Sequence, residues 1–267
     1  MRLFKAIIFF VLLSGCKKDE INLTTEVYGH AGTTLKEGNW IFPPNSYASI
    51  EYVLFGLNAD GCEVDLQMTK DSVLVLFHND YLYPVIKKDG CIAEYKWNEL
   101  KNEKIYGTNR TLTEFSEVLP LFVENNKRVI IDFKAYNACD NGIINTNGFK
   151  WAFENALQDL SDDQKYKTVL FTSRSAAMTQ IMGNSTPKYF ETENFSQALY
   201  LYEKNFISGV VIKNELLEND SLNLILTSGM DLIIFGGSSR QEIKKVLNFG
   251  PNGYITDNAA TALSLQN

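Results

Sequence analysis

The chain has two histidines, and each closes an apolar, β-rich run: Tyr28-Gly29-His30-Ala31-Gly32 and Leu76-Phe77-His78-Asn79-Asp80. Imidazoles titrate near neutral pH, so a pair brought to one pocket could take a proton from an attacking oxygen and give one to a leaving oxygen. Glu63 and Asp65 stand two apart in Gly61-Cys62-Glu63-Val64-Asp65-Leu66-Gln67. The strand period of two puts both carboxylates on one face, where they could chelate a hard cation. The same alternation also fits a strand with one face in water. Asp132-Phe133-Lys134 repeats the spacing with an acid and a base at the end of a buried run. The acid is a candidate third metal ligand and the lysine, a compact cation, a candidate for a phosphate oxygen. A local ion pair at a strand exit is the plainer reading of those two residues.

Strand ends must position such groups. Short apolar runs at 26–30, 61–67, 73–78, 128–134, 168–173, 188–192, 209–213, 231–235 and 253–257 alternate with helical stretches. Continuous runs such as Val73-Leu74-Val75-Leu76-Phe77 and Val129-Ile130-Ile131 predict strands buried on both faces, as in parallel sheets. Residues 45–58 place Ile50, Val53, Leu54 and Leu57 on one helical stripe, and Thr111-Leu112-Thr113-Glu114 is a capping-box pattern ahead of Phe115, Val118, Leu119 and Phe122. Residues 149–160, 196–202 and 240–248 are further helices, and the alternation predicts the α/β class. The length suits a single (β/α)8 barrel, typically about 250 residues, in which the C-terminal strand ends carry the active site. Nine strand candidates stand against the eight a closed barrel needs, so the barrel is expected to be irregular around its second and third strands.

Of 267 residues 45% are apolar and 21% charged, which excludes wholesale disorder, collagen and a coiled-coil rod. With 25 bases against 32 acids and no basic cluster, nucleic acid is not an expected partner. Arg2 and Lys5, the eight apolar residues from Ala6 to Leu13, and Leu13-Ser14-Gly15-Cys16 form an export signal too short to span a bilayer. Small residues before a cysteine resemble the lipobox of bacterial lipoproteins, which implies cleavage before Cys16, lipid on its sulfur, and an exported, membrane-anchored protein. Residues 1–15 are then signal, 16–23 a charged tether and 24–267 the folded domain. Cys62, Cys91 and Cys139 remain, with no CxxC or Cys/His spacing, so at most one disulfide forms and a zinc site of that kind is not expected.

The order and spacing of the segments from Tyr28 to Asp80 resemble the opening of the glycerophosphodiester phosphodiesterase family. They are Gly-His-Ala-Gly, Pro43-Pro44-Asn45-Ser46, Gly61-Cys62-Glu63-Val64-Asp65-Leu66-Gln67-Met68-Thr69-Lys70-Asp71 and Val75-Leu76-Phe77-His78-Asn79-Asp80, with Asp65 thirteen residues before His78. Weaker matches run through Trp97-Asn98-Glu99-Leu100-Lys101 and 112–119 to Ile131-Asp132-Phe133-Lys134, and Gly253-Tyr254-Ile255-Thr256-Asp257 resembles the closing strand. From 135 to 250 the match is only architectural. The resemblance implies a TIM barrel in which Glu63, Asp65 and Asp132 bind one Ca²⁺ or Mg²⁺, His30 and His78 act as general acid and base, and Lys134 holds the phosphate of a small phosphodiester.

Four positions depart from the family pattern. Ala31 stands where the family has Arg, Pro44 where it has Glu, Asp132 where it usually has Glu, and Ile234-Phe235-Gly236-Gly237 replaces a late Trp-Thr motif. Lys36 and Arg110 are candidate substitutes for the missing guanidinium. The expectation is a metal-dependent phosphodiesterase that releases glycerol 3-phosphate and an alcohol. The alternatives are a non-catalytic barrel lipoprotein that binds a phosphorylated ligand and a phospholipase D-like enzyme that forms a cyclic phosphate.

Overall fold

The computed structural model describes residues 24–35, 41–83, 85–134, 136–142, 145–218 and 220–266; Cys16, the signal, the tether and Lys36 lie outside them. Among the described residues the strands are β1 Glu26–Gly29, β2 Gly61–Met68, β3 Leu74–Leu76, β4 Thr113–Glu114, β5 Arg128–Phe133, β6 Val169–Ser173, β7 Lys188–Glu191, β8 Gly209–Lys213, β9 Asp231–Phe235 and β10 Gly253–Thr256. The α-helices are α1 Tyr47–Glu51, α2 Phe115–Val123, α3 Thr146–Ala156, α4 Asp162–Thr168, α5 Ala176–Ile181, α6 Phe195–Glu203, α7 Asn223–Ser228, α8 Arg240–Phe249 and α9 Ala259–Gln266. Eight strands, all but β3 and β4, run parallel and close on themselves because β1 pairs with both β10 and β2. This is the (β/α)8 barrel expected from the alternation.

The irregularity between the second and third barrel strands is a hairpin excursion. β2 is eight residues long, and its end pairs with antiparallel β3, which pairs with antiparallel β4. The expectation that 73–78 is a parallel barrel strand is therefore corrected. Both of its faces are buried, but by different clusters: Leu74 and Leu76 join the core under α2, while Val75 and Phe77 join Leu82, Ile86, Ile92, Leu100, Ile105 and Leu112 of the excursion. Two-sided burial produced the continuous apolar run without parallel pairing. The expected capping box also shifts: residues 113–114 are taken by β4, and the Glu117 carboxylate accepts from the Glu114 amide at the start of α2.

Alternation within the barrel strands sorts residues to two sides. Cys62, Val64 and Leu66 of β2 pack outward with Val129, Ile131 and Phe133 of β5 against Phe115, Val118 and Phe122 of α2. Tyr28, Ile130, Leu170, Tyr189, Val211, Ile233 and Ile255 form a separate apolar layer inside the barrel. Glu63, Asp65, Asp132 and Thr172 share their strand faces with that layer and stand toward the C-terminal mouth. The layer closes the barrel beneath them, so water reaches them from one side only. A disulfide joins Cys91 of the excursion to Cys139 in the loop after β5, and Cys62 is buried and free. No helix among the described residues is long and apolar enough to cross a membrane.

Candidate active site

His30 directly follows β1, and its amide continues the ladder to the Thr256 carbonyl at 3.1 Å. Ala31 and Gly32 then turn the chain in the left-handed region, at φ 49° and 91°, with the Ala31 methyl buried. A non-glycine there is uncommon and costs on the order of 1 kcal/mol. The turn aims the Ala31 amide at the Glu63 carboxylate (2.9 Å) and the Ala31 carbonyl at the Asn45 amide (2.8 Å). The position at which the resemblance implies a guanidinium thus works here through its backbone.

Glu63 and Asp65 are buried inside the barrel rather than on a wetted strand face. Asp65 accepts from Asn45 Nδ2 at 2.6 Å, and its own amide donates to Asn45 Oδ1 at 3.0 Å. Lys134 Nζ lies 2.7 Å from Asp65 and 2.6 Å from Asp132. The register explains this, since Asp65 pairs with Asp132 across β2 and β5 and Lys134 follows on the same face. One oxygen from each of Glu63, Asp65 and Asp132 lies within 4.8 Å of the others. Three hard oxygen donors at that spacing fit a divalent cation such as Ca²⁺ or Mg²⁺. A second group, Cys91, Glu94 and Cys139, does not, because its thiols form the disulfide and Glu94 accepts from the Cys91 amide.

His78 reaches the same mouth by a route different from the one expected. It does not end a neighbouring barrel strand; the hairpin turns back and delivers it. The Phe77 amide donates to the Asp65 carbonyl at 3.0 Å, and Gln67 Nε2 donates to the carbonyls of Phe77 (3.1 Å) and Asn79 (2.9 Å). Gln67 therefore clamps the backbone on both sides of an exposed imidazole.

The electrostatics follow from crowding acids in a closed barrel. Burial pushes Glu63 up, Asp65 beside it adds to this, and the net value is about 8. Burial acts upward on Asp65 as well, but the Lys134 charge outweighs it and holds Asp65 below the ordinary carboxylate range. Burial works against the Lys134 charge, yet Asp65 and Asp132 hold that ammonium well above its usual value. For His30, burial acts downward and is overcome by the hydrogen bond of Nδ1 to Asp257 (3.0 Å) and by the charges of Glu63, Asp257 and Asp65, giving about 9. Its Nε2 lies 3.9 Å from Glu63. Asp257 also accepts from Thr34 Oγ1 and the Leu35 amide, each at 3.1 Å.

His30, Glu63, His78, Asp132, Lys134, Thr172, Arg174 and Glu191 line one cavity of about 140 Å³, and Asp65 lies behind Lys134. All six expected site residues of the barrel thus come together, from β1, β2, β5 and the hairpin. Sequence reading did not single out Asp257, Asn45, Gln67, Thr172 or the pair Arg174–Glu191, whose Nε and Nη2 lie 2.8 and 2.5 Å from the carboxylate. The available signal was position: Arg174, Glu191 and Asp257 are each a charged residue at the close of an apolar run, as Asp132 is. Arg110 does not replace the missing arginine; it stacks over Phe42 at 5.7 Å, whereas Arg174 faces the cavity. Thr172 Oγ1 is buried there with no hydrogen-bond partner among the described residues.

A family model described as "Glycerophosphoryl diester phosphodiesterase family" matches residues 41–261. A glycerophosphodiester phosphodiesterase of Caldanaerobacter subterraneus is 22% identical over 243 residues, 84% of this chain and 92% of the relative. One from Bacillus altitudinis is 34% identical over 77 residues, 29% of each chain. An Oleispira antarctica phosphodiesterase, solved with the product sn-glycerol-3-phosphate, superposes with a TM-score of 0.73 at 17% identity, covering 90% of this chain and 95% of its own. At that identity the superposition shows the shared barrel.

Proposed function

The chain belongs to the glycerophosphoryl diester phosphodiesterase family and is an enzyme of that class, and from that premise we propose that it hydrolyses glycerophosphodiesters to glycerol 3-phosphate and an alcohol by general acid–base catalysis dependent on a divalent cation. The observation that carries this reading is the convergence of two imidazoles, Glu63, Asp132 and Lys134 on a single cavity at the barrel mouth, with Asp65 directly behind the lysine. A phosphodiester needs its charge neutralised, its attacking oxygen deprotonated and its leaving oxygen protonated, and this set supplies all three. Glu63, Asp65 and Asp132 would hold Ca²⁺ or Mg²⁺, which supplies positive charge to a phosphate oxygen. His30, protonated at neutral pH through Asp257, is placed to give a proton to the leaving oxygen. His78, across the cavity, is left to take the proton of the attacking oxygen. Lys134 and Arg174 make the approach favourable for an anion despite the nearby acids.

The test is release of glycerol 3-phosphate from glycerophosphocholine and glycerophosphoethanolamine in Ca²⁺, in Mg²⁺ and in EDTA. Release that EDTA stops and His78→Ala reduces about 10²–10⁴-fold is expected. Binding without turnover would return the protein to the class of phosphoryl-ligand binders, and a phosphorus NMR signal of a cyclic phosphate would move it to the phospholipase D-like chemistry.

We also propose export and membrane anchoring through lipid on Cys16. The Cys91–Cys139 disulfide supports this, since such bonds persist in oxidising compartments. Cys16→Ser is expected to release the protein from the membrane fraction; a protein that stays there refutes the anchor.

A further inference from the structure

The excursion between β2 and β5 does more than deliver His78. Its apolar side chains Val75, Phe77, Leu82, Ile86, Ile92, Leu100, Ile105 and Leu112 form a small core of their own, pinned by the antiparallel bridges Ile86 to Ile105 and Lys104 to Thr111. Between this core and the Pro43–Pro44 turn lies a cavity of about 380 Å³, within the range that holds a small organic ligand. Its walls include Pro43, Pro44, Phe77, Val85, Ile105 and Leu112, and no Asp, Glu, Lys or Arg is among the described residues that line it. It shares His78 and Leu35 with the charged cavity, so the two adjoin at the imidazole. An ester arm that extended past His78 from the charged cavity would meet apolar surroundings.

The same walls are poorly suited to a cationic headgroup. A quaternary ammonium is held by open aromatic faces or by acids. Of the Phe and Tyr residues that line the cavity, Phe77 is buried in the excursion core and the Tyr106 ring is already covered by Lys87 Nζ at 4.8 Å. Resting on the phosphodiesterase reading, we propose that this cavity binds a hydrocarbon arm of the substrate, so that phosphodiesters carrying an alkyl or acyl chain are preferred over glycerophosphocholine.

The experiment uses the full chain in lipid nanodiscs. Turnover is measured on glycerol phosphodiesters with n-alkyl arms from methyl to octyl, on lysophosphatidylcholine, whose chain lies on the glycerol side, and on glycerophosphocholine. In parallel, n-alkyl phosphates of the same lengths are titrated calorimetrically, which requires no turnover. Each buried methylene is expected to improve kcat/KM and Kd about fourfold until the cavity is full, after which both level off, and binding shows a negative heat-capacity change. Val85→Asp flattens both series. Val85→Leu, which fills part of the cavity, brings the plateau at a shorter chain, and cooperative melting checks that each variant is folded. Whichever of the two chain-bearing classes gains identifies the side on which the arm lies. A flat binding series overturns the proposal, as does a flat turnover series in an enzyme that hydrolyses glycerophosphocholine. Rising alkyl phosphate affinity without turnover of any diester would instead uphold the cavity and refute the phosphodiesterase reading.

Discussion

Lys134 bridges Asp65 and Asp132, and its charge holds Asp65 below the ordinary carboxylate range, so its removal gives the sharpest test of the site. Lys134→Met keeps an unbranched side chain, one heavy atom shorter, and deletes the charge. The ammonium is 2.7 Å from Asp65 and 2.6 Å from Asp132, and the three side chains are 24%, 1% and 17% exposed. With every partner below a third exposed, the small value of a surface pair does not apply. Breaking a buried pair costs about 3–5 kcal/mol, and the partial exposure of Lys134 places the loss near the lower figure. At about 2–4 °C per kcal/mol for a domain of this size, melting in EDTA at pH 7.5 should fall by about 6–12 °C. The pH dependence has a definite sign. Asp65 is held below its unfolded value, so its contribution is present above pH ~3.9 and is lost as pH falls through the lower folded value. Lys134 is held above its unfolded value, so its contribution is complete below pH ~10.4 and is lost only at higher pH. The gap between variant and wild type is therefore widest between those limits and closes in acid. Ca²⁺ should raise the melting temperature of the variant more than that of the wild type, where the ion must displace Lys134; saturation at about 1,000 Kd returns roughly 4 kcal/mol. Scanning calorimetry in EDTA and in Ca²⁺ reads both effects. A variant that melts within about 2 °C of wild type in EDTA, or equal Ca²⁺ shifts in the two proteins, would refute the reasoning.

Asp257→Asn should lower the His30 pKa from about 9 toward 6.5, followed by imidazole proton NMR; an unmoved titration would show that Asp257 does not hold the proton. Because His30 is raised on folding, its contribution is full below pH ~6.5 and disappears as pH rises through about 9, so stability differences caused by this substitution should vanish above that. Cys91→Ser opens a link spanning 48 residues, which loop-closure entropy values at about 4 kcal/mol; thiol reductant should lower wild-type melting to the variant's level and leave the variant unchanged. Asn45→Ala removes both hydrogen bonds to Asp65 and should cost about 1.5–3 kcal/mol while weakening Ca²⁺ binding by calorimetry; equal affinity would show that Asn45 does not orient the carboxylate.

Much of the barrel was legible because burial writes itself into a sequence. The alternation of Glu63, Asp65 and Gln67 with Cys62, Val64 and Leu66 put the acids on one face, and the structure shows that face to be the barrel interior. The run Val73 to Phe77 misled because an apolar strand covered on both faces reads alike whether its neighbours are parallel or antiparallel, and only the hydrogen-bond partners differ. Thr113 and Glu114 were likewise drawn into β4, where pairing with β3 overrode the capping-box signal.

What the sequence determined by itself is local: which residues alternate, which apolar runs end in charge, and how far apart the histidines and acids stand along the chain. The pairing of Cys91 with Cys139, the clamp of Gln67 on the His78 segment, the contact of Asp257 with His30 across 227 positions and the facing of Arg174 with Glu191 were decided only by the tertiary structure. Each depends on two segments meeting in space. Closure of the barrel, which sets β1 between β2 and β10, brings them together, and local periodicity carries no information about which strand ends will share a mouth.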